Sequence, residues 1–425
     1  MSGFFVVGEK KERPGVYKRY ENAGGVEAAG ARSGVGCALV TGNWGALNTP
    51  VTIDQSTDIS SVIGAGSGHD AITAFMAGGM EECVVVRVGT GGTPATITLK
   101  DTTTSAAVDA VVLTALYPGN RAFTITVKAS LDDEAAKEAT IYEGTKALEK
   151  VTFAAGKTEV DGIVAAFANS KYVKATKKAP GNGTLADVTQ KAFTAGTNPT
   201  VNTAAYGEAA NASEAEVRDM IIVDTNDAAV HTLIATHVAR VFQEGAYTMA
   251  IVAEPSSVEI ETRMQHAAAF NDEKIHYVLN PYIGTDGVEY EGYMLAARIG
   301  GLICAGAANA SLTHTVISGA AGLKETLNSG TIKKALKSGC LVLSTSKSKQ
   351  VWIEKAINTL VTLSKDQDAG WKKIRRVKER FELMDRVEQT TEVLIGQVDN
   401  DPDGRAAVIA AAQRVIDAMV GEKKL

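Results

Sequence analysis

DMIIVDT at 219–225, MAIVAEP at 249–255 and IHYVLNPYIG at 275–284 are three short apolar runs, and the intervals 227–243 and 257–271 between them carry helical periodicity. Apolar runs of this length without polar alternation suit strands covered on both faces, and the strand, helix, strand rhythm predicts a largely parallel, helix-covered sheet. In the first interval Val230, Leu233, Ile234, His237, Val238 and Val241 recur at helical spacing, so that stripe, His237 included, is expected to face the sheet. The same rhythm begins upstream, where CALVTG from Cys37 and CVVVRVG at 83–89 flank a predicted helix at 69–79.

Between these two α/β stretches the texture changes. TITLKD, AVVLTALY and FTITVKAS alternate polar and apolar residues and are broken by PGN at 118–120, which predicts an inserted β-rich domain over 94–199. Residues 9–22 combine a charge run with Pro14 and Gly15, so they oppose helix and read as part of an extended arm over 1–30. From about Ser344 the expectation is an α-rich C-terminal domain over 345–425. It comprises a helix carrying Trp352, Ile353, Ile357 and Leu360, a basic helix from Trp371, and an Ala-rich helix to Met419 capped by Asp403. The expected fold is thus an α/β core made of 31–93 and 200–344, an inserted variable β-rich domain, and an α-rich C-terminal domain.

The chain has 425 residues, 43 basic against 49 acidic, and a net charge of −6, so no global field draws it to nucleic acid or an anionic membrane. Cys37, Cys83, Cys304 and Cys340 are far apart, form no CxxC pair and read as buried free thiols of a reducing cytoplasm, where the chain is expected to be made. No stretch approaches the ~18 consecutive apolar residues that span a bilayer.

Motifs that would carry chemistry fail on their spacing. Gly156-Lys157-Thr158 lacks the glycine five positions upstream that a phosphate loop needs, since that position is Val151. Gly64, Gly66 and Gly68 resemble part of a dinucleotide fingerprint, but no strand with the acidic residue follows, and a turn before a helix is the simpler reading. His231 and His237 sit six apart, off a shared helical face. Asp399-Asn400-Asp401-Pro402-Asp403-Gly404 matches the start of a calcium loop, but its twelfth position is Ala410 instead of a bidentate glutamate. No catalytic, cofactor-binding or metal-binding residue is nominated, no cofactor is expected, and the chain does not read as an enzyme.

One surface does stand out. WKKIRRVKERF at 371–381 holds six basic side chains and one acid, with Trp371, Ile374, Val377, Phe381 and Met384 at three- and four-residue spacing. One face of this helix is expected to pack and the other to be strongly positive, either merely solvated, or presented to an acidic protein partner or to nucleic acid.

The order of segments resembles the contractile phage tail sheath family, in the form carried by phages, prophages and phage-tail-like bacteriocins of Gram-positive bacteria. The resemblance runs through RPGVYKRYEN at 13–22, GVGCALVTGNWGALNTPVTI at 34–53, HDAITAFMAGGMEECVVVRV at 69–88 and LTALYPGNRAFTITV at 113–127. It continues through YMLAARIGGLICAGAANASLTHTVI at 293–317, the Trp371 helix and IGQVDNDPDGR at 395–405.

The resemblance implies a structural subunit that polymerises as stacked hexameric rings into a helical sleeve around a tail tube and contracts to drive the tube through a cell envelope. It implies the tail tube protein, the baseplate and a tail terminator as partners, with neither nucleic acid nor membrane touched by this subunit. The location implied is a virion or bacteriocin tail assembled in the host cytoplasm. Arms that add strands to neighbours place Pro14, Gly15, Val16, Tyr17 and Tyr20 at inter-subunit contacts. Lys372, Lys373, Arg375, Arg376 and Lys378 become candidates for the tube contact in a tube-proximal C-terminal domain. Relatives usually continue into a terminal β-strand, and the sequence ending in GEKKL reads as missing that arm. The alternatives are another self-assembling shell protein or a Rossmann-like enzyme without a recognisable active site.

Overall fold

The computed structural model describes residues 34–425 and, before them, the backbone of two short strands, Ser2–Phe4 and Val16–Lys18, which pair in parallel. Two compact units emerge, one of residues 33–378 and one that groups 379–425 with 1–32.

The larger unit is built on a seven-stranded sheet. Its spatial order is Cys340–Leu341, Ile275–Val278, Met249–Ala253, Met220–Val223, Val35–Val40, Glu82–Arg87 and Pro50–Asp54. Every pairing is parallel except that of the last strand, which runs antiparallel to Glu82–Arg87. The central strands are buried along their whole length, as their uninterrupted apolar runs require. Alternate side chains serve opposite faces. Leu39, Ile221 and Ala250 pack in one cluster with Val230, Ile234 and Val238 of the helix Ala228–Gln243. Leu233 of the predicted stripe is only partly buried, and His231, outside the stripe, is buried as His237 is. The helix Gly292–Ala305 covers the opposite face and packs along the helix Ser67–Met76.

The insertion forms two antiparallel sheets. One orders Lys146–Ala154, Ala136–Glu143, Phe123–Ala129 and Val188–Ala192; the other orders Val173–Lys177, Asp109–Pro118 and Pro94–Lys100. Alternating residues such as Ile97, Leu99, Val111, Leu113, Ile125, Val127 and Ile141 form a shared core, the arrangement of a β-sandwich.

The expected helix around Trp352 is not formed. Leu343–Thr345 and Val351–Ile353 make an antiparallel hairpin, in which Val351 and Ile353 are buried on either side of a partly exposed Trp352. The following residues are held by specific hydrogen bonds that compete with helix formation. Asn358 donates from its backbone N to Lys372 O at 3.0 Å and from Nδ2 to Trp371 O at 2.7 Å. Thr359 donates from its backbone N to Ile275 O at 2.9 Å and from Oγ1 to Asp272 O at 2.9 Å. This segment therefore belongs to the larger unit, which runs on to Lys378.

The basic helix spans Ile374–Glu392 after a short 3-10 turn, Ala369–Lys372, and the last helix spans Pro402–Gly421. Asp401, not Asp403, caps that last helix: its backbone is extended and its Oδ1 accepts from Gly404 N at 2.7 Å. The proline explains the offset, because Pro402 suits the first helical position and makes the residue before it the cap. In this smaller unit Arg386 donates to both carboxylate oxygens of Glu422 at 2.9 and 2.8 Å, and Lys424 Nζ donates to Glu382 Oε1 at 2.6 Å.

Candidate assembly surfaces

A parallel sheet of this kind has one place where a ligand would be expected. From Val35–Val40 the chain first crosses to Glu82–Arg87 on one side and later returns to Met220–Val223 on the other, so a crevice is due where those two neighbouring strands end. Here that place is filled by the protein's own polar groups. Asp224 Oδ2 accepts from Thr41 N at 2.9 Å, Thr41 Oγ1 at 2.6 Å and Ser67 Oγ at 2.7 Å, and Oδ1 accepts from Tyr206 hydroxyl at 2.7 Å. Burial, with the Asp224 charge beside it, raises the Tyr206 pKa and holds the hydroxyl as a donor. A Cβ at Gly68 would stand 1.9 Å from Thr41 O, so the glycine lets the helix start press onto the strand end. Gly64 and Gly68 of the Gly64, Gly66, Gly68 run thus serve close packing of a turn and helix, and Gly66 takes a positive φ in the turn between them.

The histidines separate in the same way. His231 Nε2 lies 3.0 Å from Thr225 O, whereas His237 Nε2 lies 3.1 Å from Arg218 Nη2. Burial and then the Arg218 charge lower the His237 pKa to about 4. All four cysteines are free and buried. Burial raises each thiol pKa, the opposite of an activated nucleophile.

Where the sandwich leaves the sheet, two cations fasten the connection. Arg87 is 2% exposed and donates to three carbonyls: Gly42 O at 3.1 and 2.8 Å, Gly45 O at 2.6 Å and Pro118 O at 2.8 Å. Burial lowers its pKa to about 10, so it stays charged at neutral pH. Trp44, from the sheet side, enters the sandwich core with ring centroids 5.0 Å from Tyr117 and 5.2 Å from Phe123. Arg121 lies over the Trp44 ring at 5.2 Å and binds Glu143 through two bonds of 3.0 and 2.8 Å.

The basic segment resolves into cations with different tasks. Lys373, Arg375 and Arg376 are exposed. Lys372 is half-buried and donates to Val361 O at 2.6 Å. Lys378 leaves the candidate set: it is buried, and its ammonium donates to Ile303 O at 2.5 Å and to Gly306 O, closing the C-terminal end of the helix Gly292–Ala305. Helical periodicity explains this, since Ile374, Val377 and Lys378 share the inward face. Of the arm residues, Val16 and Tyr17 lie in the strand Val16–Lys18, and Pro14, Gly15 and Tyr20 lie outside the described residues.

Residues 199–359 match the phage tail sheath protein central domain, and residues 90–198 match the phage tail sheath protein beta-sandwich domain, two adjoining stretches that span well over half of the chain. The chain belongs to the phage tail sheath protein family. The sheath fold extends to solved structures. The sheath tail protein of Desulfitobacterium hafniense is similar at a TM-score of 0.75 and 18% identity, over 96% of this chain and 89% of that one. The sheath tail protein of Listeria innocua is similar at 0.70 and 21% identity, over 92% and 85%. The helical sheath of the anti-feeding prophage, in its contracted state, is similar at 0.52 and 8% identity, over 97% and 85%. No curated protein matches the sequence.

Sequence reading of the sheath subunit missed three features. Arg87 ends an apolar strand and was legible only as a charge after CVVV. Trp44 stands in a Gly-rich turn whose partners lie some 70 or more residues downstream in Tyr117, Phe123 and Tyr172. Lys355 is remote from the basic run in sequence, yet lines the same cleft as Lys373 and Arg376. No local pattern marks any of these, because each acts through tertiary contacts.

Proposed function

We propose that this sheath subunit polymerises into a helical sleeve around a tail tube, and that repacking of the sleeve into a shorter, wider helix drives the tube through a target envelope. The observation that carries the proposal is the family match over 90–359, with the fold likeness to a contracted helical sheath in support. Head-to-tail contacts that do not close generate a helix, the symmetry a sleeve needs. Sheath in the extended form is held by a kinetic barrier, and a trigger from the baseplate lets subunits convert together, each contributing on the order of a few kcal/mol.

Two features of this chain fit those demands. The N-terminal arm, with Val16 and Tyr17 in a strand and Pro14, Gly15 and Tyr20 beside them in sequence, links subunits by strand addition, so rigid bodies can turn while remaining tied. The Arg87 and Trp44 fastening makes sheet and sandwich one such body.

The tube contact must break as subunits move outward, and exposed charge pairs satisfy that better than a buried apolar surface. Lys373, Arg375 and Arg376, with Lys372 at their edge, form this contact with an acidic tube surface. The subunit's other contacts are with further copies of itself, the baseplate and a tail terminator, and none is with nucleic acid or membrane. Charge reversal of Lys373, Arg375 and Arg376 to Glu, followed by electron microscopy of tails assembled with the tube protein, tests the contact. Folded subunits that no longer form extended sheath are expected; extended tails in normal number would sink the tube assignment.

A further inference from the structure

Beside the hairpin, a cleft of about 670 Å³ opens between the loop at 311–313, the strand end at 354–356 and the turn and helix start at 368–376. Its cations are Lys355, Lys373, Arg375 and Arg376, against the carboxylates of Glu354 and Asp368. Both carboxylates are engaged locally. Glu354 Oε2 accepts from Ser344 Oγ at 2.5 Å, and Asp368 Oδ1 accepts from Gly370 N at 2.9 Å as the cap of the 3-10 turn. Among the described residues, Lys355, Lys373 and Arg376 have no ion-pair partner, and all three are exposed.

The arrangement is oriented as well as charged. A Cβ at Gly370 would lie 3.2 Å from Arg376 Nε and 3.3 Å from its Nη2, so the guanidinium rests against the turn where glycine leaves room. A guanidinium is planar and presents paired donors that match a carboxylate in fork geometry. Lys355 and Lys373 supply two mobile point charges on the same wall.

We propose that this cleft is the receptor for an acidic polypeptide segment carrying at least two carboxylates: one taken by Arg376, and the other shared by Lys355 and Lys373. The proposal rests on the reading of the basic face as a protein contact and sharpens it. The contact gains Lys355, which stands outside the basic helix, and is a shaped cleft instead of a uniformly positive face. A flexible acidic segment fits the cleft's size, and a duplex backbone would need a longer track of phosphate-spaced cations than the four of this cleft supply.

The test is fluorescence anisotropy of labelled hexaglutamate titrated with the full chain at low and high salt, with an octathymidine oligonucleotide as a second probe. Expected are saturable, salt-sensitive binding of hexaglutamate, a loss of affinity of about tenfold or more in the Lys355→Glu, Arg376→Glu double variant, and a change under about twofold in Lys347→Glu, an exposed lysine outside the cleft. A circular dichroism melt that matches the parent excludes misfolding as the cause. Absent hexaglutamate binding, equal loss in Lys347→Glu, or tighter binding of the oligonucleotide would each overturn the proposal. The assay needs no tube, so a chain that binds hexaglutamate here but forms normal extended tails after reversal of Lys373, Arg375 and Arg376 would refute the tube assignment and keep the cleft.

Discussion

The cations at the sandwich junction and those in the 355–376 cleft have the same charge and opposite surroundings. Arg87 reaches three backbone carbonyls and Arg121 a carboxylate, each nearly excluded from solvent, whereas Lys355, Lys373 and Arg376 are exposed and unpaired among the described residues. Burying an ion costs several kcal/mol unless its donors are met, so the junction cations can exist only as part of the fold. Exposed cations carry no such obligation and are free to serve a partner. Lys378 marks the border between the two classes, since it follows Arg375 and Arg376 within one turn yet belongs with the interior group.

The largest effect is expected at the junction. Arg87→Leu leaves the carbonyls of Gly42, Gly45 and Pro118 without their donor and should cost about 3–5 kcal/mol in chemical denaturation. A loss under ~1 kcal/mol would show that the junction is not held by this side chain. Lys378→Met keeps the stem but removes the ammonium from Ile303 O and Gly306 O, with an expected cost of about 2–3 kcal/mol. If it behaved like Lys373→Met, the division between interior and surface cations on this helix would collapse.

Acidification probes the interior from another side. Burial holds the His237 pKa at about 4 and that of His276 at about 3, with the Lys378 charge adding to the second. The unfolded chain takes up these protons near pH 6.5, well above the folded values, so stability is full above that pH and falls as pH drops toward 4 and 3. From pH 7 to 5.5 each histidine should remove roughly 1 kcal/mol. His237→Gln should flatten part of that slope, and an unchanged slope would assign it elsewhere.

Asp224→Asn removes one charge-assisted acceptor from the Thr41, Ser67 and Tyr206 donors and should cost about 1–2 kcal/mol. Smallest of all, Lys355→Glu and Arg376→Glu should shift stability by no more than ~0.5 kcal/mol, because neither side chain has an interior partner to lose.

Much of this architecture was written in local pattern. MIIV, MAIVA and IHYV are buried strands, the Val230 to Val241 stripe turns inward, and the Thr-rich alternation after Thr93 folds as a sandwich. The cap of the last helix was misread by two residues for a local reason, Pro402, whereas the larger misreading falls where long-range hydrogen bonds outweigh propensity. Trp352 to Leu360 have the hydrophobicity of a helix, but Asn358 and Thr359 are anchored to Trp371, Lys372, Ile275 and Asp272. The basic run was legible as a candidate surface, but not that Lys378 turns inward or that Lys355 joins the cleft from another segment, because only the folded chain brings those positions together.

Whether this subunit builds a helical sleeve is decided by electron microscopy of the full chain, alone and with its tail tube. Hollow helical tubes are expected and, with the tube present, sheathed tails of two lengths. Dispersed single subunits in both samples, at concentrations where the chain is folded, would contradict the sleeve.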